Sequence, residues 1–445
     1  MTTAPVFRPP CGPIASWADG GVLRATGIRY AVADRFAPPI PAPDHDEVFA
    51  ATEWSPVCPQ VRSEFLEQAV GGALSERPRD EHCQHLSVTM PADVDPGDGL
   101  PVMVWIHGGS YTYFAGDVPI MDPAPLVREQ RVIVVAVTYR LGLFGYLGDG
   151  AHRPGNLGLL DQMEALRWVQ RNIAAFGGDP RNVTAFGQSA GGDAVAHMMA
   201  TPGAAGLFRR AIIQSAPLGI IAGRDRMNAA MIEAARHVDA RTPIEEVLQI
   251  QARAAAAAAP FGLLAAMPFG IQYGHDPLPA EDAVEAAWEA VAPEIDVLIG
   301  HTSEEARLFV PRMPALKRLR RLPVVGDLAC RFLAAVITRK AYGAASRSFA
   351  ERHARAGGRA YRYLITWSVR GNSYGAAHAI DLPLLFGDED AWRDAEFIAG
   401  ATWAQITAAA RQVRGLWADF ARGQDLPDRG RIPDVLRYER VRPAR

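Results

Sequence analysis

Two short apolar runs constrain this chain most: VMVWI at residues 102–106 and VIVVAV at 132–137. Neither alternates polar with apolar residues, so neither reads as a strand with one face in water. Both read as strands buried on two faces, the kind found in parallel sheets covered by helices on each side. Between and beyond them the period changes. Residues 157–180 place Leu160, Met163, Leu166, Val169 and Ile173 at helical spacing, and the pattern stops at Phe176 before Gly177 and Gly178. NVTAFG (182–187) is a short strand, AGGDAVAHMMA (190–200) a helix and FRRAIIQSA (208–216) a strand. Strand character returns at 294–300 and 359–369, and 398–423 is a long amphipathic helix ended by Gly423. This alternation predicts an α/β fold with a mostly parallel central sheet flanked by helices.

The first hundred residues are rich in proline and turn residues. GVLRATGIRYA there predicts an N-terminal hairpin or small β element laid over the larger body. Residues 217–290 are helical and alanine-rich. With no internal repeat and no clear linker, residues 1–445 read as one domain with helical insertions over roughly 217–290 and 306–358.

Composition excludes some classes. A chain of 445 residues that is 49% hydrophobic and 21% charged can bury a large core. A formal net charge of −3 gives no electrostatic reason to expect nucleic acid as a partner. No apolar run reaches 18 residues, so no transmembrane helix or stable membrane insertion is expected. The start, MTTAPVFRPPCGPIASW, has no basic segment leading into an apolar core. A cytoplasmic location is therefore the expectation, with secretion left open. The four cysteines lack metal-site spacing and read as free buried thiols. Nothing in the sequence speaks to oligomeric state.

AFGQSAGG (185–192) places Ser189 in the pattern G-x-S-x-G, between a predicted strand and a predicted helix. That is the context of a nucleophile elbow. The flanking glycines allow a sharp turn, and the backbone N–H of Ala190 opens the helix, where negative charge is favoured. The alternative is a small residue in a structural turn. HGGS (107–110), at the end of the 102–106 strand, supplies a second loop whose N–H groups can reach an oxyanion.

A serine nucleophile needs a base, and the base needs a carboxylate. Glu304 and Glu305 both follow the strand 294–300, where active sites of open α/β sheets form. His378 sits in a loop rich in glycine and alanine, GNSYGAAHAIDLP, after strand 359–369. Asp381 follows that histidine and reads as a supporting group. The order serine, acid, histidine is that of the α/β-hydrolases.

These residues resemble the type B carboxylesterases, the α/β-hydrolase branch that includes cholinesterases and bacterial para-nitrobenzyl esterases. The resemblance runs from about 27 to 427. It is strongest in VTYRLGLFGYLGDG and in GNLGLLDQMEALRWVQRNIAAFGGDPRNVTAFGQSAGG. It implies Ser189 as nucleophile, Glu305 in GHTSEEA as acid with Glu304 in the preceding acidic position, and His378 in GAAHAIDLPLLF as base. It implies an oxyanion hole of Gly109, Ser110 and Ala190, with Ser215 supporting the acid and base. Ser110, Ala216 and Ala306 stand where the family has other small residues. Cys58 and Cys83 match a family disulfide, which the absence of a visible secretory signal opposes. The implied activity is hydrolysis of small to medium carboxylic esters through an acyl-enzyme, with no metal or cofactor. An acyltransferase or cyclase on the same fold, and a non-catalytic binding protein, are the alternatives.

Other features carry bland readings. His197 reads as a core histidine, His301 as loop structure and His107 as a support for the glycine loop. The basic and apolar stretch 314–337 reads as a helix surface followed by a buried helix, rather than a lid touching lipid. Trp367 and Tyr374 read as core with some prospect of lining the pocket.

Overall fold

The computed structural model describes residues 5–71, 77–310 and 323–443. Among these, eleven strands form the main sheet: β1 (Trp17–Asp19), β2 (Val22–Arg29), β3 (His85–Pro91), β4 (Leu100–Ile106), β5 (Ile133–Val137), β6 (Gly178–Gln188), β7 (Arg210–Gln214), β8 (Asp296–Thr302), β9 (Ala360–Ile365), β10 (Arg429–Ile432) and β11 (Leu436–Val441). Their spatial order is β10-β11-β9-β8-β7-β6-β4-β5-β3-β2-β1. The central run β9-β8-β7-β6-β4-β5 is parallel. Antiparallel strands extend it at both ends.

The chain leaves β4 for β5 on one side, then returns to place β6 on the other side of β4. The connections therefore diverge between β4 and β6. In open parallel sheets that divergence opens a crevice at the carboxyl ends of the strands. HGGS follows β4 and Ser189 follows β6, so the topology alone brings both to that crevice.

The two apolar runs are buried along β4 from Val102 and throughout β5. The helix that follows, α1 (Leu157–Asn172), is buried on nearly all sides, with Leu160 only partly covered. Its buried carboxylate, Asp161, accepts from the backbone N–H, Nε and Nη2 of Arg140 at 3.1, 2.8 and 2.8 Å. That pairing removes the cost of an unpaired buried charge.

GVLRATGIRYA does not form a separate layer. It supplies β2, which adds antiparallel to β3 and prolongs the main sheet. A separate small sheet is built from Val6–Phe7, Ile14–Ala15 and Phe49–Ala50. The predicted C-terminal helix also begins later than expected. α7 below starts at Trp403 because Thr402 and Gln405 form a reciprocal capping box there.

The helices used below are α2 (Ala190–Met198), α3 (Asp225–Ala234), α4 (Ile244–Ala257), α5 (Pro323–Ile337), α6 (Ala344–Arg355) and α7 (Trp403–Ala421). α3 and α4 lie between β7 and β8. α5, a π-helical turn (Thr338–Gly343) and α6 lie between β8 and β9. Of the stretch 314–337, residues 314–322 lie outside the described residues. No single helix among the described residues is long and apolar enough to cross a membrane.

Trp105 on β4 is fully buried against Phe186 and Phe386, with ring centroids 5.0 and 4.6 Å apart. Truncating it removes a large aromatic and leaves a cavity. Trp105→Ala is expected to lower unfolding free energy by about 3–5 kcal/mol, read from urea denaturation. A loss below about 1 kcal/mol would place the core elsewhere.

Candidate active site

The turn between β6 and α2 holds Ser189 at φ 58°, ψ −124°. A non-glycine residue there is strained by roughly 1–3 kcal/mol, so the surroundings must enforce it. They do so through close backbone packing. A Cβ on Gly191 would run into the Ile106 carbonyl oxygen, so only glycine lets α2 start against the end of β4. Ser189 N–H donates to Gln214 O on β7 at 2.8 Å, and Ser189 O accepts from Asp193 N at 2.9 Å. Ser189 itself is 9% exposed.

The HGGS loop presses on this turn. A Cβ on Gly108 would lie 2.6 Å from Gln188 O and 3.1 Å from Ser189 Cβ. Gly109, Ser110 and Tyr111 all take positive φ, of 102°, 54° and 59°. The loop is fastened from below. His107 Nδ1 lies 2.8 Å from Gly108 O, and its ring stacks on Tyr139 at 4.4 Å. Burial pushes the His107 pKa down to about 4, so the ring is a neutral support. Tyr111 OH donates to Asp193 Oδ2 in the first turn of α2 at 2.6 Å, tying loop to elbow. The N–H of Ala190, first in α2, has no acceptor within the helix. His197 bridges Asp193 O and Tyr273 OH, each at 2.8 Å, as the core histidine expected.

The two candidate glutamates part ways. Glu305 opens a short 3-10 turn after β8 and is fully buried. Its Oε2 meets His378 Nδ1 and its Oε1 accepts from Thr302 N at 2.7 Å. His378 N–H also donates to Glu305 O at 3.1 Å. Burial alone would raise the Glu305 carboxyl. The charge and hydrogen bond of His378, aided by His301 and Ser215, overcome it and hold the pKa below the ordinary value. Ser215 Oγ is buried without a hydrogen-bond partner in good geometry, yet near enough to favour the charged form. Glu304 points away. It accepts from Ala376 N at 3.0 Å and from Arg307 at 2.7 Å, and so fixes the loop that carries His378. His301 Nδ1 stays with Thr302 O at 2.8 Å.

The other ring nitrogen of His378, Nε2, lies 3.3 Å from Gln188 Nε2, in the residue preceding Ser189. An ionised carboxylate only accepts, so Glu305 holds the ring proton on Nδ1 and leaves Nε2 as the acceptor. That is the tautomer a general base needs. Among the described residues no hydrogen bond joins Ser189 Oγ to His378. Gln188 was invisible as a site residue in the sequence beyond its place in the motif, since its contact spans 190 positions. Phe309 and Tyr342 flank the His378 ring at 5.5 and 5.4 Å and were likewise not anticipated.

Asp381 is fully buried and does not reach His378. Its Oδ2 accepts from Gln214 Nε2 at 2.7 Å, whose Oε1 accepts from Trp417 Nε1 at 3.1 Å. Burial, with Glu305 nearby, raises its pKa to about 6. Cys58 and Cys83 are buried free thiols. Burial and the neighbouring Cys58 push the Cys83 thiol well up.

A cleft of about 380 Å³ opens beside Gly109 and Ser110. Its walls are mainly apolar, among them Leu66, Leu248, Phe269 and Phe309. Trp367 is packed in the core, and Tyr374 OH donates to Glu396 at 2.9 Å; neither lines this cleft.

The family model described as "Carboxylesterase family" matches residues 16–321. A probable N-octanoylanthranilate hydrolase of Rhodococcus erythropolis is 37% identical, over 95% of this chain and 94% of that protein. The para-nitrobenzyl esterase of Bacillus subtilis is 32% identical, over 92% and 88%. Among solved structures, a thermophilic para-nitrobenzyl esterase matches with a TM-score of 0.77 and 28% identity, covering 97% of this chain and 94% of the other. The Geobacillus stearothermophilus carboxylesterase matches with a TM-score of 0.72 and 28% identity, over 94% and 90%.

The raised pKa of Asp381 has a stability consequence. The folded state prefers the protonated acid, so its contribution is full below the unfolded pKa near 4 and is lost as pH rises through about 6. Asp381→Asn removes this term. Its stability relative to wild type is expected to be higher at pH 7.5 than at pH 5 by roughly 1–2 kcal/mol, read from urea midpoints at both pH values. An unchanged difference would mean that Asp381 is not the buried acid described.

Proposed function

Since the chain belongs to the carboxylesterase family and is a carboxylic-ester hydrolase, we propose that it works through a serine acyl-enzyme. In this reading His378 takes the proton of Ser189 Oγ as that oxygen attacks the ester carbonyl. The backbone N–H groups of Gly109, Ser110 and Ala190 receive the oxyanion, and α2 adds the positive end of its dipole. His378 then protonates the leaving alcohol. In the second half it activates the water that releases the acid and regenerates Ser189. Glu305 holds the imidazole in its tautomer and stabilises the imidazolium. Ser215 and Glu304 act at one remove, on Glu305 and on the His378 loop.

The observation that carries this reading is the His378 ring, held at Nδ1 by buried Glu305 with Nε2 turned to the elbow. On substrate binding Ser189 Oγ takes the place of the Gln188 amide at Nε2. Catalytic hydrogen bonds commonly tighten only in the substrate complex.

The substrate in this reading is a small to medium ester whose apolar part enters the cleft beside Ser110. The cleft volume of about 380 Å³ is at the low end for small-molecule sites. A second reading, hydrolysis of an N-acyl amide, draws support from the similarity to a protein named as a probable N-octanoylanthranilate hydrolase. Both reactions pass through the same acyl-enzyme. Acyl transfer in place of hydrolysis would show as new esters when short alcohols are added to the assay.

Turnover of para-nitrophenyl esters of increasing acyl length tests the roles. Ser189→Ala is expected to lower kcat by about 10⁴–10⁶-fold, and Glu305→Gln by about 10³–10⁴-fold. Glu304→Gln is expected to cost much less, since that side chain faces the loop and not the imidazole. Activity that survives in Ser189→Ala, or equal losses from Glu304→Gln and Glu305→Gln, would sink the assignment.

A further inference from the structure

The helix α5 buries one face and leaves another unpartnered. Ala334 packs on Ala306 and Val310, with Cys330, Leu333 and Ile337 beside them. The π-turn that follows keeps this face in place: Thr338 Oγ1 accepts from Ala306 N at 3.1 Å. On the outer side Leu328, Phe332 and Val336 are 62%, 73% and 44% exposed. Their spacing of four residues sets them in one stripe along the helix. Three large apolar side chains aligned on a surface helix mark an interaction site more often than scattered ones do.

Ala335, three residues on from Phe332, and Arg339, three on from Val336, line a neighbouring cleft of about 1040 Å³. Arg339, Arg347, Arg362, Arg429 and Arg437 line it, against one lining carboxylate, Glu439. That carboxylate lies 3.7 Å from Arg362 Nη1. On the cleft floor Arg437 stands directly opposite Arg431 across β11 and β10, an arrangement that repels. Burial depresses the Arg362 pKa, with Arg347 adding to it and Glu439 and Glu351 opposing it. Such a cluster is relieved by an anion.

We propose that the outer face of α5 and this arginine cleft together dock on an anionic phospholipid bilayer surface. Apolar side chains on a surface helix enter the boundary between headgroups and acyl chains, while neighbouring arginines meet lipid phosphates. Each half of the surface selects against other occupants. A free phosphate leaves Leu328 and Phe332 uncovered. A second copy of the chain in a two-fold contact would set the arginines against each other. Docking is peripheral, since no single described helix is long and apolar enough to cross a membrane. It would bring the enzyme to a phase where apolar esters collect.

Co-sedimentation with vesicles tests this, using phosphatidylcholine alone and phosphatidylcholine mixed with an equal part of phosphatidylglycerol. The wild type is expected to bind the mixed vesicles at least about tenfold more tightly than the neutral ones, with affinity falling as salt rises. Leu328→Asp with Phe332→Asp is expected to lower that binding by about tenfold or more. Arg339→Gln with Arg347→Gln is expected to weaken it and flatten its salt dependence. Turnover of a soluble short-chain ester should be unchanged in all of them, which establishes that the fold is intact. Three results would overturn the proposal. One is wild-type protein that stays in solution with both vesicle types. Another is binding indifferent to both double variants. The third is a dimer, seen by light scattering, that the aspartate variant splits.

Discussion

The approach of three backbone segments at the end of the parallel sheet underlies the rest of the site. The start of α2 lies so close to the end of β4 that no side chain fits at Gly191, and the glycine loop lies so close to the elbow that none fits at Gly108. This packing holds Ser189 in a conformation that a serine would not keep alone. It also fixes where Gly109, Ser110 and Ala190 point their N–H groups. The site inherits its precision from strands, which is why its loops need little length.

Charge completes what packing begins. Glu305 is buried and held in its charged form because His378 faces it, and the carboxylate in turn holds the ring proton on Nδ1, leaving Nε2 beside Gln188. Around this pair the remaining charges are kept apart. Arg140 is absorbed by Asp161, Asp193 by Tyr111 and His197, and Glu304 by Arg307 and Ala376 N. Among the described residues the carboxylate that meets the imidazole is the one whose turn follows β8 directly.

Much of this was legible in the sequence, for physical reasons that also mark its limits. β4 and β5 were visible because strands buried on both faces are apolar throughout. The elbow was legible as G-x-S-x-G between a strand and a helix, whereas the crevice beside it follows from the strand order. The order of Ser189, Glu305 and His378 follows the resemblance to the type B carboxylesterases, and membership of the family is now established by the matched relatives. Residue type and position alone left Glu304 and Glu305 open, and the resemblance singled out Glu305; in the structure Glu304, just before the 3-10 turn, faces Ala376 N and Arg307, whereas Glu305, first in the turn, faces His378. β2 looked like a separate element because its partner, β3, lies some sixty residues on. Gln188 and Tyr342 meet His378 only through tertiary packing. The apolar half of 314–337 predicts a buried helix, whereas α5 buries one face and exposes Leu328, Phe332 and Val336.

Ser189 as the nucleophile is the proposal on which the other proposed roles rest. The most direct measurement is intact-mass and peptide mapping of the protein after treatment with a fluorophosphonate. The account predicts one adduct, on the peptide containing Ser189, formed far more slowly when Glu305 is replaced by Gln. An adduct on another residue, or none on a protein that still hydrolyses esters, would contradict it.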